Sequence, residues 1–187
     1  MTISDSADDG SLVARVRSGD LDAYAEIVQR HAPMAVRTAA LLGAGADAED
    51  VVQEAFVKAY RALGRYRDGA AFRPWLLRIV ANETRNHHRS AVRRGARERA
   101  DFLPPELLDP ADEVADREHK ARLLAAVADL PDRLRVVVTC RYLLELDEAE
   151  TATTLGLPRG TVKSRLNRGL ARLRSELVAP GREADRV

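Results

Sequence analysis

Apolar residues recur at three- and four-residue intervals along most of this chain, the spacing that lines one face of an α-helix. Residues 1–10 are polar and acidic and are expected to be disordered. Ser11 then caps a short helix, Leu12 to Arg17, closed by Ser18-Gly19. Asp20 or Asp22 starts a longer one through about Leu42, with Ala23, Ile27, Val28, Met34, Ala35 and Leu41 apolar. Pro33 is expected to kink it or to begin a new segment, and Gly43 and Gly45 close it. Asp47 is the predicted cap of a helix from Ala48 to Leu63, whose buried stripe is Val52, Ala55, Phe56, Ala59 and Leu63. After a loop at Arg65–Ala71, Pro74 marks the first turn of a helix to about Arg94, with Phe72, Leu76, Ile79 and Val80 facing the core.

The second half opens with three prolines and a cluster of acids, which predicts a flexible linker over 96–120 with partial helix after Asp112. A helix over Ala121–Ala128, a break at Leu130-Pro131-Asp132 and a helix over Arg133–Leu144 follow. Their apolar floor is Leu123, Leu124, Val127, Leu134, Val137, Val138 and Leu143. On it sits the stretch DEAETATTLGLPRGTVKSRLNRGLARLR from Asp147 to Arg174. Asp147 and Glu150 form a capping box, Gly156 supplies the left-handed turn, and Pro158 starts the next helix. Val162, Leu166, Leu170 and Leu173, at i, i+4, i+8 and i+11, make the inner stripe of that helix. The pattern is a helix-turn-helix. The expected fold is all-α: a helical bundle over 11–95 and a helix-turn-helix domain over 121–178, joined by the acidic linker and followed by a tail at 179–187.

Only 4% of residues are aromatic, so the core is built from Leu, Val and Ala, which favours helices. The net charge of +1 announces no polyanion, but the charges are segregated. Residues 73–99 hold eight arginines against two acids, and residues 101–120 hold seven acids against two bases. Cys140 is the single cysteine, so no internal disulfide exists and a reducing, cytoplasmic setting is expected. No run of 18 apolar residues occurs in the sequence, and no signal peptide is expected.

Three surfaces carry candidate chemistry. The last helix turns Gly160, Thr161, Ser164, Asn167 and Arg168 away from its stripe, flanked by Arg165 and Arg172, and its six cations, Arg159 and Lys163 among them, have no acid between them. Small residues that approach base edges and cations that meet phosphates suit the DNA major groove; an ordinary solvated basic face is the alternative. The helix after Pro74 sets Arg78, Asn82, Arg85, Asn86, Arg89 and Arg93 opposite its stripe with Trp75 at the border. Cations, amides and a ring together suit an opened strand, unless Trp75 simply completes the core. The Ala48–Leu63 helix shows Asp47, Asp50, Gln53, Glu54, Val57, Lys58 and Arg61 outward, either a docking face or acids that suit the helix dipole. His87-His88 point about 100° apart with no ligand partner at the right spacing, so no metal is expected, and no other cofactor. His31 and His119 are isolated and receive no role.

Taken together, DAEDVVQEAFVKAY (Asp47–Tyr60), FRPWLLRIVANETRN (Phe72–Asn86), ADLPDRLRVVV (Ala128–Val138) and LGLPRGTVKSRLNRGLARLR (Leu155–Arg174) resemble the extracytoplasmic-function group of bacterial RNA polymerase sigma factors. The resemblance implies a σ2 domain that docks the clamp coiled coil of the largest polymerase subunit through the Asp47–Arg61 helix, chiefly by Asp50, Gln53 and Glu54. It implies that Arg65–Asn86 opens the minus-ten element, with Asn82, Arg85, Asn86 and the preceding loop carrying recognition. A σ4 domain would set Arg159–Arg172 in the minus-thirty-five major groove while its other face meets the β-subunit flap. An anti-sigma protein is the implied regulator, and the linker would lie near the RNA exit path.

Two departures stand out. The turn before the helix-turn-helix is Glu145-Leu146-Asp147 where Gly-Leu-Ser-like residues are common, and Asp caps equally well. The run Thr151-Ala152-Thr153-Thr154 replaces a more aliphatic helix and is expected to loosen packing. The competing reading is an autonomous, dimeric helix-turn-helix regulator that works without polymerase. An enzyme ranks behind it, because nucleophile–base pairings, metal clusters and a Gly-rich phosphate loop are missing from the sequence.

Overall fold

The computed structural model describes residues 4–93 and 114–178, and every regular element among them is helical. The chain divides into two compact units. The first contains α1 (Ser4–Arg17), α2 (Leu21–Ala39), α3 (Ala48–Ala62) and α4 (Phe72–Arg93). Helix α1 packs on α2, α2 on α3 and α4, and α3 on α4. The stripes read from the sequence meet in one core: Ile27, Ala55, Ala59, Leu63, Phe72, Leu76 and Val80 are all buried, and Ile79 lies at its edge.

The N-terminal expectation is corrected. Helix α1 begins at Ser4, within the stretch predicted to be disordered, and Asp9 is buried in it. The Asp9 carboxylate takes His31 Nε2 at 3.1 Å and an Arg30 guanidinium N–H at 3.2 Å. His31, isolated in sequence, thus has a structural role. A buried carboxylate needs such donors, because desolvation without them costs several kcal/mol.

Asp20 caps α2 by accepting the Ala23 N–H at 3.1 Å. That bond, followed by Arg15, holds its carboxyl below the usual range. Pro33 does not start a new segment; α2 runs through it at an exposed position, where water can take up the carbonyl that the ring leaves without a donor. A π-helical turn, Ala40–Ala44, follows, and Gly43 (φ 107°) and Gly45 (φ 55°) reverse the chain as expected. Asp47 does not cap α3: its side chain makes no cap bond and lies 3.5 Å from His87 Nε2 of α4.

The second half of the chain contains α5 (Val114–Ala128), α6 (Asp132–Val138), α7 (Glu148–Leu155) and α8 (Arg159–Val178). Helix α5 starts seven residues ahead of the predicted helix at Ala121, within the end of the linker where partial helix is expected after Asp112; the remaining linker residues through 113, and the 179–187 tail, lie outside the described residues. Leu124, Val127, Leu134, Val137 and Val138 form the floor as expected, and Val162 and Leu173 of α8 seal against it. Leu123 is the exception, exposed on the outer side of α5, and Leu143 is only half-buried.

Candidate nucleic-acid interface

The helix-turn-helix is fixed by local bonds that its sequence specifies. The Asp147 N–H donates to Glu150 Oε2 at 2.9 Å, and the Glu150 N–H donates to Asp147 Oδ1 at 2.7 Å, the reciprocal capping box. Gly156 turns the chain at φ 65°, and the Leu157 N–H returns to the Ala152 carbonyl at 2.9 Å. Pro158 then lends its carbonyl to the N–H groups of Thr161 and Val162, so α8 starts cleanly at Arg159. Ahead of the motif, Arg141 donates to the Leu146 carbonyl, and Glu145 adopts φ 53°, the left-handed region. The cost of the Glu-Leu-Asp departure therefore sits in the Glu145 backbone, while the Asp cap itself is intact. Thr151 is fully buried with a hydroxyl that has no partner among the described residues, a polar burial that costs about 1–3 kcal/mol.

Helix α8 presents the expected face. Arg159, Gly160, Lys163, Asn167, Arg168 and Arg172 are exposed; Thr161, Ser164 and Arg165 are half-buried. Ser164 Oγ donates to the Thr161 carbonyl at 3.1 Å, and Arg172 Nε meets Glu176 Oε1 at 3.2 Å, an exposed i,i+4 pair of little energetic weight. On the inner side, Gly169 is buried, and a Cβ there would lie 2.8 Å from Val138 Cγ2. Helices α6 and α8 approach so closely because residue 169 has no side chain, a contact that the stripe alone does not reveal.

On α4, Arg78, Asn82, Arg85, Asn86 and Arg89 are exposed along one face. Arg85 donates to Asn82 Oδ1 at 2.9 Å, which couples two of the candidate recognition residues. Trp75 is half-buried in a ring cluster with Phe72 (5.4 Å) and Tyr66 (5.2 Å), so it completes the core and stiffens the border of that face. Sequence reasoning missed what holds the preceding loop. Arg17 Nε donates to the Leu63 carbonyl at 3.0 Å, a second guanidinium N–H donates to the Tyr66 carbonyl, and a third meets Asp68 at 2.6 Å.

The outer face of α3 carries Asp50, Gln53, Glu54, Val57 and Arg61, with Asp47 just ahead of the helix, all exposed. Tyr60 joins it beside Val57, edge-on to Tyr24 at 4.9 Å, an aromatic addition absent from the sequence expectation. Cys140 is fully buried, and burial pushes its thiol up to about 12, so it stays protonated at neutral pH and offers no thiolate. Among the described residues no group of His, Cys, Asp and Glu could hold a metal, and no helix is long and apolar enough to cross a membrane.

The family models of sigma-70 region 2 and sigma-70 region 4 match residues 27–94 and 120–173. The sigma-E factor of Escherichia coli K12 is 32% identical over 176 residues, spanning 89% of this chain and 92% of that one. The sigma-H factor of Pseudomonas aeruginosa is 34% identical over 190 residues, spanning 94% and 97%. The chain belongs to the extracytoplasmic-function group of sigma-70 factors. As a sigma factor it directs transcription initiation, and the first unit corresponds to σ2 and the second to σ4. Among solved structures, CnrH in complex with the cytosolic domain of CnrY is similar with a TM-score of 0.68 at 28% identity, covering 93% of this chain and 99% of that one. The sigma factor RpoE of Bartonella quintana, solved with the anti-sigma factor NepR, shares the fold at a TM-score of 0.68 and 21% identity, covering 84% and 98%.

Proposed function

We propose that this sigma factor contacts promoter DNA at two places while bound to core RNA polymerase. Helix α8 reads the minus-thirty-five element: Gly160, Thr161, Ser164 and Asn167 approach base edges, and Arg159, Lys163, Arg165, Arg168 and Arg172 engage phosphates or bases. Helix α4 receives the opened minus-ten strand, with Asn82, Arg85 and Asn86 bonding an unpaired base and Arg78 and Arg89 tracking the backbone. Trp75 supports that surface through its ring contacts. Asp47, with Asp50, Gln53, Glu54, Val57 and Arg61 of α3, docks the clamp coiled coil, and the side of σ4 away from DNA meets the β-subunit flap. Such work places the protein in the cytoplasm and involves no catalysis and no cofactor of its own.

The observation that carries this reading is the acid-free face of α8 from Arg159 to Arg168, on which four cations and four small or amide residues are exposed or half-buried while Val162 is buried beneath them. A solvated helix needs neither the close packing beneath it nor the exclusion of acids above. Control by an anti-sigma protein belongs to the same reading, in keeping with the likeness to CnrH, which was solved with the cytosolic domain of CnrY. Gel filtration with core polymerase is the test. A one-to-one complex is expected, whereas an autonomous dimeric regulator would elute apart from polymerase.

A further inference from the structure

The loop between Leu63 and Phe72 connects α3 to the α4 face proposed to receive the opened strand. Its tip exposes Arg65, Arg67 and Asp68, and Gly69 turns it at φ 79°. A segment of this kind has few backbone bonds of its own and would sample many shapes; holding one shape before DNA arrives removes an ordering cost from binding. Two devices hold it. The Tyr66 hydroxyl donates to the Ala70 carbonyl, and the Tyr66 ring stands edge-on to Phe72 (5.6 Å, 73°) and to Trp75 (5.2 Å, 66°), tying the loop to the first turn of α4. The other device is Arg17, at the last residue of α1 and about fifty positions upstream in sequence. Its guanidinium reaches the carbonyls of Leu63 and Tyr66 and the Asp68 carboxylate and lies 5.9 Å from the centre of the Tyr66 ring.

This arrangement uses what only arginine offers, several donors in a fixed planar fork. Other contacts seat α1. Leu12, Val13 and Val16 are buried in the core, and Asp9 is held by His31 and Arg30. The bonds of Arg17 go instead to the loop. We infer that Arg17 is a positioning residue for promoter opening, which holds the 63–71 loop in the shape in which loop and α4 together receive an unpaired base. The inference rests on the σ2 reading above and extends it to a residue outside the DNA-facing surface.

The test uses holoenzyme assembled from core polymerase and the full chain, on a promoter selected by the wild-type holoenzyme from a randomised library. Arg17→Ala, Arg17→Lys and Asp68→Ala are compared with Arg15→Ala, a neighbour whose guanidinium pairs with Asp20. Core affinity, closed-complex affinity, permanganate reactivity of the minus-ten thymines, and binding of single-stranded minus-ten oligonucleotides with the preferred or a replaced base are measured. Arg17→Ala should reduce opening about tenfold and erase most of the preference between the two oligonucleotides, with core and closed-complex affinities unchanged. Arg17→Lys should stay defective, because a point charge cannot bridge both carbonyls. Asp68→Ala, at a position 85% exposed and so no risk to folding, should lose about two- to threefold in opening alone. Arg15→Ala should match wild type. Wild-type opening and base preference in Arg17→Ala and Asp68→Ala would overturn the inference. So would a loss in Arg17→Ala that falls equally on core binding and opening, since a purely structural residue would act that way. Wild-type chain that never binds core polymerase would instead overturn the σ2 reading itself.

Discussion

At Glu145 the backbone sits at φ 53°, the one residue other than glycine among the described residues with positive φ. A side chain there crowds the following carbonyl, at a cost of about 1–2 kcal/mol. Arg141, which donates to the Leu146 carbonyl, and the Leu146 N–H, bonded to the Cys140 carbonyl at 2.9 Å, hold the turn despite that cost. Glu145→Gly should therefore raise stability by about 0.5–1 kcal/mol, the strain relieved less the entropy that glycine adds to the unfolded chain. Thermal melting checks this, and a lowered melting temperature would show that the strain lies elsewhere. The residue scale is where sequence reading fell shortest. Asp147 and Glu150 were legible because a capping box is written within four positions. Asp9 with His31 and Arg17 with the 63–68 segment were not, because their partners lie 22 and about fifty residues away and no local pattern carries that distance. Asp47 shows the converse: a good capping residue by type that turns toward His87 instead.

Among the elements, the apolar stripes were legible because helix periodicity decides which side chains face inward, and Ile27, Ala55, Phe72, Leu76, Val162 and Leu173 lie buried where the spacing put them. Boundaries were harder to read. Helix α1 extends back through acidic residues, and α5 through mixed charges, since acids near a helix N-terminus are favoured by the dipole even without an apolar stripe. Glycine is a separate case. In a helix it reads as a weak point that alanine would improve by about 1 kcal/mol. At Gly169 packing reverses that sign, because the new Cβ would meet Val138 Cγ2 at 2.8 Å, with Leu134 Cβ 3.8 Å from the same point. Valine is stiff at χ1 and Val138 is itself buried, so the clash cannot be relieved by a simple rotation. Gly169→Ala should lose about 1 kcal/mol or more of stability, overpacking outweighing helix propensity. Urea denaturation checks this: the expected result is a lower midpoint, partly restored by adding Val138→Ala, whereas a higher midpoint would mean that the α6–α8 contact has room to spare.

Across the whole molecule, a net charge of +1 conceals segregated faces, and segregation rather than total charge indicates nucleic acid. Two units were legible from the acidic, proline-rich interval between patterned halves, and the σ2 and σ4 assignments follow from the matches to residues 27–94 and 120–173. Division of labour between the units gives the sharpest consequence. Arg168 is exposed on α8, away from the stripe, and should matter to promoter binding but neither to folding nor to polymerase docking. The most direct measurement is run-off transcription by core polymerase with this chain on a promoter library. Discrete start sites should appear only when the chain is present, each preceded by shared minus-ten and minus-thirty-five elements. Arg168→Ala should lower transcript yield from them about tenfold or more while binding core polymerase normally. No chain-dependent start site, or start sites indifferent to the minus-thirty-five sequence, would contradict the two-place promoter contact proposed for this sigma factor.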